Sequence, residues 1–248
     1  MRKFWVLFKQ DFYNLIMSSG TLVVFLIFPT VVTLLMGFLF EDLYNTSLVS
    51  SYDFYGVTMI FFVAMMGATV PANSFLEKRI RGGNTRIFYS PVSRIVIYSS
   101  KIMTCFLFMA TCLSINIVAY QSLSFVNFGD ENMIYIILLL FNFVLFLTML
   151  SSAICVTLRS EELTNIILSN SMSVLGFLSG IMFPIANLGA AFEKIASFSP
   201  MKWTIDCVFQ LIYDGASANY FMIMVGLLVL SFLLLLVVHR NYRPEDYV

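Results

Sequence analysis

Residues 133–156 read MIYIILLLFNFVLFLTMLSSAICV, and the fold follows from how that stretch is satisfied. It passes without an Asp, Glu, Lys or Arg. A helix needs about 20 mainly apolar residues to cross a hydrocarbon layer about 30 Å thick at about 1.5 Å per residue, and this one is long enough. Lipid offers no partner to a bare backbone, so the segment must bond to itself; the alternating pattern of a barrel strand is missing, which leaves helix. Working outward, the same reading applies at about 22–40, 54–75, 102–120, 163–184 and 220–238, none of which contains an acidic or basic residue. With 60% of the 248 residues hydrophobic and 11% charged, the composition excludes an ordinary soluble domain. The expectation is an all-α integral membrane protein with six transmembrane helices in one transmembrane domain over 1–248.

The net charge is zero, so no bulk field favours nucleic acid, and none is expected as a partner. The placement of the charges is more informative. Lys and Arg gather on the cytoplasmic side of short connections. Arg2, Lys3 and Lys9 precede the first span; Lys78, Arg79, Arg81, Arg86, Arg94 and Lys101 lie in or beside the second connection; Arg159 is in the fourth; Arg240 and Arg243 follow the last span. Only Lys194 and Lys202 fall on the other side. This asymmetry predicts both termini in the cytoplasm and the 185–219 connection outside, and basic segments of this kind also contact anionic lipid headgroups.

Three connecting segments have organisation of their own. EKRIRGGNTRIFYSPVSR, residues 77–94, predicts a helix running on from the second span, a stop at Gly82-Gly83, and a restart with Ser90 as N-cap and Pro91 at the first helical position. At the N-terminus Phe4, Phe8, Phe12 and Ile16 recur every four residues among polar neighbours, which predicts a helix lying in the membrane interface. Lys9, Asp11 and Asn14 interrupt any apolar core that a cleaved secretory signal would require, so the segment is expected to be retained. After the fifth span, two apolar stretches at about 188–198 and 203–213 flank Ser199-Pro200; each is too short to cross, and short re-entrant or surface helices on the outer face are expected.

The chemistry inventory is mostly one of exclusions. There is no GxxxxGK[ST] sequence to cradle ATP phosphates, so any ATP and magnesium must sit on another chain. His239 and Ser179 fall at opposite ends of their spans, which excludes a dyad, and GxSxG is absent. Cys105, Cys112, Cys155 and Cys207 have no metal-ligand spacing, so no metal site is expected. A proton- or ion-coupled carrier normally places an ionisable group within the bilayer, and the six apolar intervals have none. Asn116, Asn142, Asn165, Asn170 and Thr69 are expected as interhelical hydrogen-bonding groups.

In this frame the chain resembles the permease subunits of type-two ATP-binding-cassette (ABC) transporters. The resemblance rests on Glu77, Lys78 and Arg79 after the second span; on SPVSR, Ser90 to Arg94, followed by Lys101; on Ser179, Gly180 and Pro184; and on Ser199, Pro200 and Asp206. Two positions depart from the family pattern: GGNTRIF has Arg86 where relatives often carry an acid, and Asn187-Leu188-Gly189 stands where many have a second proline. The resemblance implies a non-enzymatic half-transporter in a cytoplasmic membrane, of a bacterium, paired with a second permease subunit as a homodimer or heterodimer. Two copies of a cytosolic ATPase would carry ATP and magnesium. It further implies a cytoplasmic coupling helix with Glu77, Lys78, Arg79 and Arg81 as docking charges, and Pro91 and Arg94 at the start of the third span. A substrate path is implied along the first, second and fifth spans, past Phe61, Met65, Met66, Asn170, Ser173 and Phe177. An adaptable Met-rich, aromatic surface points to export of an amphipathic cargo such as a hydrophobic peptide, toxin or drug. The alternatives are a polysaccharide or lipid exporter of the same family, and a channel or secondary carrier without an ATPase.

Overall fold

A computed structural model describes residues 2–44, 49–76, 92–179, 199–215 and 218–243. The elements that matter here are α1 (Arg2–Met17), α2 (Ser19–Leu39), α3 (Ser51–Phe75), α4 (Arg94–Ser122), α5 (Met133–Leu158), α6 (Glu161–Leu178), α7 (Pro200–Tyr213) and α8 (Tyr220–Asn241). Among the described residues there is no strand. Five of the helices, α2, α3, α4, α5 and α8, are long and apolar enough to cross a membrane.

The sixth expected span, 163–184, overlaps α6, which ends at Leu178 with Ser179 as its C-cap and is not among those five; residues 180–184 lie outside the described residues. Its start is set locally. Ser160 takes an extended N-cap conformation and accepts a bond from the Leu163 amide at 3.4 Å, and Glu161 and Glu162 in the first turn complement the helix dipole. The 188–198 stretch lies outside the described residues. Its companion at 203–213 is observed as α7, with Ser199 at the N-cap and Pro200 leading the first turn.

The helix of the third span begins ahead of the expected 102–120 interval but after the restart expected at Ser90-Pro91. Val92 and Ser93 are not helical, and α4 starts at Arg94 with Ser93 in the extended N-cap conformation, so Ser90 is not its cap. Arg94 is the first residue of that helix. The helix therefore carries Lys101 two turns inside, where the sequence suggested a flank.

Burial sorts the spans. In α3, 72% of the most apolar stretch is enclosed, against 22% in α2 and 17% in α8. α3 is the central post, touched by α2, α4, α5 and α6. One core cluster fills most of the bundle, and a second, around Phe75, Tyr98, Cys155 and Tyr242, closes the end that carries Arg94, Lys101, Arg159 and Arg240, called here the basic end.

The opposite end is closed by polar ties. Asp53 at the start of α3 accepts the Asn127 amide at 2.7 Å and the Tyr213 hydroxyl at 3.5 Å. Burial and the Asp53 carboxylate both push the Tyr213 phenol pKa upward, so the hydroxyl keeps its proton and donates. Asn132 donates to the Leu211 carbonyl at 2.9 Å. Gly129, at φ 71°, leaves its missing Cβ only 3.2 Å from Ile212 Cα. Only glycine accommodates that backbone at such close approach. α7 is thus seated on the α4–α5 connection.

Candidate functional site

The basic end is where the ends of α1, α3, α4 and α8 are fastened to one another, on both sides of the 77–91 segment. Lys101 is the main fastener. Its side chain is 4% exposed, its Nζ donates to the Ser74 carbonyl of α3 at 2.8 Å, and it pairs with Asp11 of α1 at 3.9 Å. A buried ammonium is tolerated only when paired and hydrogen-bonded, and both conditions hold. Burial pushes the Asp11 carboxyl pKa up, and the neighbouring Lys101 partly counters it. Ser74 Oγ also lies 3.2 Å from Cys105 Sγ, so the last turn of α3 meets α4 at two points.

A second fastener is aromatic. Tyr98 of α4 is hydrogen-bonded to His239 Nδ1 of α8 at 2.9 Å. The Tyr242 ring lies 5.4 Å from Tyr98 and 6.0 Å from Phe75, edge-on to both. Asn241 adds a bond to Thr157 Oγ1 of α5 at 3.3 Å. His239 therefore ties α8 to α4.

Deeper in the bundle, two helices are irregular and the irregularities touch. In α2, residues Val23–Ile27 form a π-turn ahead of Pro29. Proline has no amide hydrogen for the carbonyl four residues back, which is that of Phe25. Asn116 of α4 supplies a donor: its Nδ2 lies 2.8 Å from the Phe25 oxygen, while Thr30 Oγ1 donates to Asn116 Oδ1 at 3.3 Å and takes a bond from Tyr120 at 3.0 Å. A side chain of one span thus satisfies the backbone that a proline frees in another. In α3, Pro71 removes the donor for the Gly67 carbonyl, which takes the Val70 amide at 3.0 Å instead, and the helix divides into Ser51–Met66 and Thr69–Leu76. A Cβ on Gly67 would lie 2.5 Å from the Phe25 ring and 2.6 Å from the Met109 methyl. The broken turn of α3 is thereby filled by the π-turn of α2. Phe108 packs edge-on to Phe25 at 6.0 Å and to Phe12 of α1 at 6.2 Å, carrying the contact out to the first helix.

The sequence-predicted residues fall into three groups. Glu77, Lys78, Arg79, Arg81 and Pro91 lie outside the described residues, bracketed by the fastened ends of α3 and α4. Phe61 and Met65 are buried in the chain's own core, with Phe61 facing Phe143 of α5 at 5.7 Å, and Met66 is half-buried. Asn170, Ser173 and Phe177 share one face of α6; Asn170 and Phe177 are exposed, and Ser173 is half-buried. The three spans named for a path are neighbours: α2 and α6 both pack on α3, and Asn165 donates to Asn73 across α6 and α3 at 2.7 Å. Of the polar groups expected between helices, Asn116 and Asn165 act so, and Asn142 reaches the Met224 carbonyl of α8 at 2.7 Å, whereas the Thr69 hydroxyl bonds within its own helix.

Lys101, Asp11, Pro29 and Pro71 were not singled out from the sequence for these roles. The available signal was an acid among bases near the N-terminus, and prolines inside two apolar spans.

Long apolar helices, polar ties at both ends and backbone breaks repaired by neighbouring spans define a multi-pass helical membrane protein. A family model described as ABC-2 family transporter protein matches residues 40–238, and the chain belongs to that family. It is therefore a membrane transport subunit of the permease type, and such permeases normally partner with an ATPase subunit. No match is found among curated proteins. The family match spans α3 to most of α8 and leaves out α1, so the Asp11–Lys101 pair joins a helix outside the matched region to one within it.

Proposed function

We propose that the chain is the permease subunit of an ABC exporter, driven through its 77–91 segment by a separate ATPase. The observation that supports this most is the fastening on both flanks of that segment. Lys101 holds Ser74 on the last turn of α3 and Asp11 of α1, and Tyr98 holds His239. A displacement of the segment is passed to several helices together instead of being lost in a loose connection. In this reading the basic end faces the cytoplasm, Glu77, Lys78, Arg79 and Arg81 are the docking charges, and Pro91 and Arg94 carry the load into α4. Two ATPase copies bind ATP and magnesium beneath two permease subunits.

The broken turns at Gly67 and at Val23–Ile27 are the places where α3 and α2 bend as the two subunits alternate in access. The path runs along α2, α3 and α6. Asn170, Ser173 and Phe177 line it directly with Met66, and Phe61 and Met65 form the packed layer behind. Such a surface suits an amphipathic cargo of the hydrophobic-peptide, toxin or drug kind.

The test is co-purification of the full chain in mild detergent. A cytosolic ATPase is expected to travel with the wild type, and Glu77→Ala or Arg79→Ala is expected to weaken the association. A wild-type chain that brings down no ATPase would overturn the reading. Nucleotide-independent movement of cargo by the purified, reconstituted chain would favour a channel or carrier instead.

A further inference from the structure

The contact between α1 and α4 has more hydrogen-bonding capacity than the chain itself uses. The Lys101 ammonium carries three N–H donors, and one goes to the Ser74 carbonyl at 2.8 Å. Its distance to the Asp11 carboxylate is 3.9 Å, too long for a direct hydrogen bond. On the same helix the Ser100 and Thr104 hydroxyls are fully buried and have no hydrogen-bond partner among the described residues. A buried hydroxyl left unpaired is destabilising, and two so close together need a common explanation. We propose that one ordered water sits beneath α1, shared by the Asp11 carboxylate, the Lys101 ammonium and the hydroxyls of Ser100 and Thr104.

Helical spacing brings these groups together. Lys101, Thr104 and Phe108 follow one another at intervals of three and four residues along one face of α4. The first helix touches both ends of that row, through Asp11 at Lys101 and through Phe12 at Phe108, whose rings are 6.2 Å apart. Thr104 therefore lies under α1 between the two contacts. Ser100 is one turn nearer the basic end on the same side of the helix, next to Lys101 in the chain. The Asp11 side chain is 19% exposed, which leaves a way in from the surface.

The chemistry of the four groups selects the occupant. A cation would meet the ammonium and an anion the carboxylate, each at close range in a poorly screened place. An apolar atom would leave both hydroxyls unpaired. Water accepts twice and donates twice: it takes a bond from Lys101 and one from Thr104, and gives one to Asp11 and one to Ser100. That is within the two to four bonds that buried waters make. A polar separation beyond 3.5 Å is also the ordinary signature of a bridging water. The bridge lets the carboxylate and ammonium both stay charged without touching, so α1 can lift from α4 by exchanging this water with the surface.

The full chain in mild detergent is irradiated with synchrotron X-rays in heavy-oxygen water, and the oxidised side chains are located by mass spectrometry. Hydroxyl radicals form where the water is, so a buried ring is labelled only beside an ordered water. Phe108 is expected to take up heavy oxygen, while Phe61, equally buried in the apolar core, does not. Thr104→Val abolishes the uptake at Phe108. In mixed micelles, Thr104→Val and Ser100→Ala each shift the unfolding equilibrium about tenfold toward the unfolded chain, equivalent to about 1.4 kcal/mol. Hydroxyls that bond to nothing would give the opposite sign, because removing them relieves a desolvation cost. Ser100→Ala, the milder change, keeps this sign test independent of how Thr104→Val folds. Stabilisation by either variant, an unlabelled Phe108 in the wild type, or labelling unchanged in Thr104→Val would each overturn the assignment.

Discussion

Replacing Lys101 with methionine keeps most of the side-chain volume and removes the ammonium that holds Asp11 and the Ser74 carbonyl. At 3.9 Å and an effective dielectric of about 20, the pair attracts by about 4 kcal/mol. Desolvation of the two charges offsets most of that, leaving about 1–2 kcal/mol of coupling. Losing the charged bond to Ser74 adds about 1.5–3 kcal/mol. Lys101→Met is therefore expected to destabilise by about 2.5–5 kcal/mol in all. Asp11→Asn is expected to cost less than about 1 kcal/mol, because the buried carboxylate already bears a net desolvation penalty. The sign follows from the raised pKa of Asp11: the folded protein keeps that proton where the unfolded chain has lost it. The Asp11 contribution is thus most favourable below its ordinary value of 3.8 and is lost as pH rises through the folded value. Asp11→Asn should flatten this slope. The assay is reversible denaturation in mixed micelles of the two single variants and the double variant, at neutral and acidic pH. Additivity of the two substitutions within about 0.5 kcal/mol would refute the coupling, since independent sites add within that margin.

Three further outcomes are expected. Asn116→Leu leaves the Phe25 carbonyl without its side-chain donor and costs about 1–3 kcal/mol; adding Pro29→Ala, which restores a backbone donor, should recover part of the loss in a thermal melt. Gly67→Ala drives a methyl into Phe25 and Met109 at a cost of about 1–3 kcal/mol; pairing it with Met109→Ala should relieve the crowding, and no relief would refute the contact. Tyr98→Phe removes one hydrogen bond to His239 and should cost about 1 kcal/mol; limited proteolysis should then show earlier release of the α8 end, which an unchanged cleavage pattern would contradict.

The span pattern was readable because hydropathy is a local property. Any run of about 20 apolar residues faces the same problem in lipid, whatever its neighbours. The intervals that predicted α2, α3, α4, α5 and α8 therefore lie almost wholly within the observed helices, and the 203–213 stretch lies within α7. Capping at the third span was less decisive. Ser90-Pro91 and Ser93 both satisfy the local rule, and the observed helix uses Ser93. Phe61 and Met65 illustrate a different gap: their composition suited a path, yet which face of α3 looks inward depends on α5, whose Phe143 covers Phe61.

By itself, then, the amino-acid order determined that this chain lives in a bilayer, roughly where it crosses, and which end is basic, because transfer from water to hydrocarbon is summed residue by residue. Only the tertiary structure decided that Lys101 is enclosed, that Asn116 mends the backbone beside Pro29, and that Gly67 leaves room for Phe25. Each of these depends on a partner far away in sequence, and a buried charge or a freed carbonyl is stable only where packing delivers that partner.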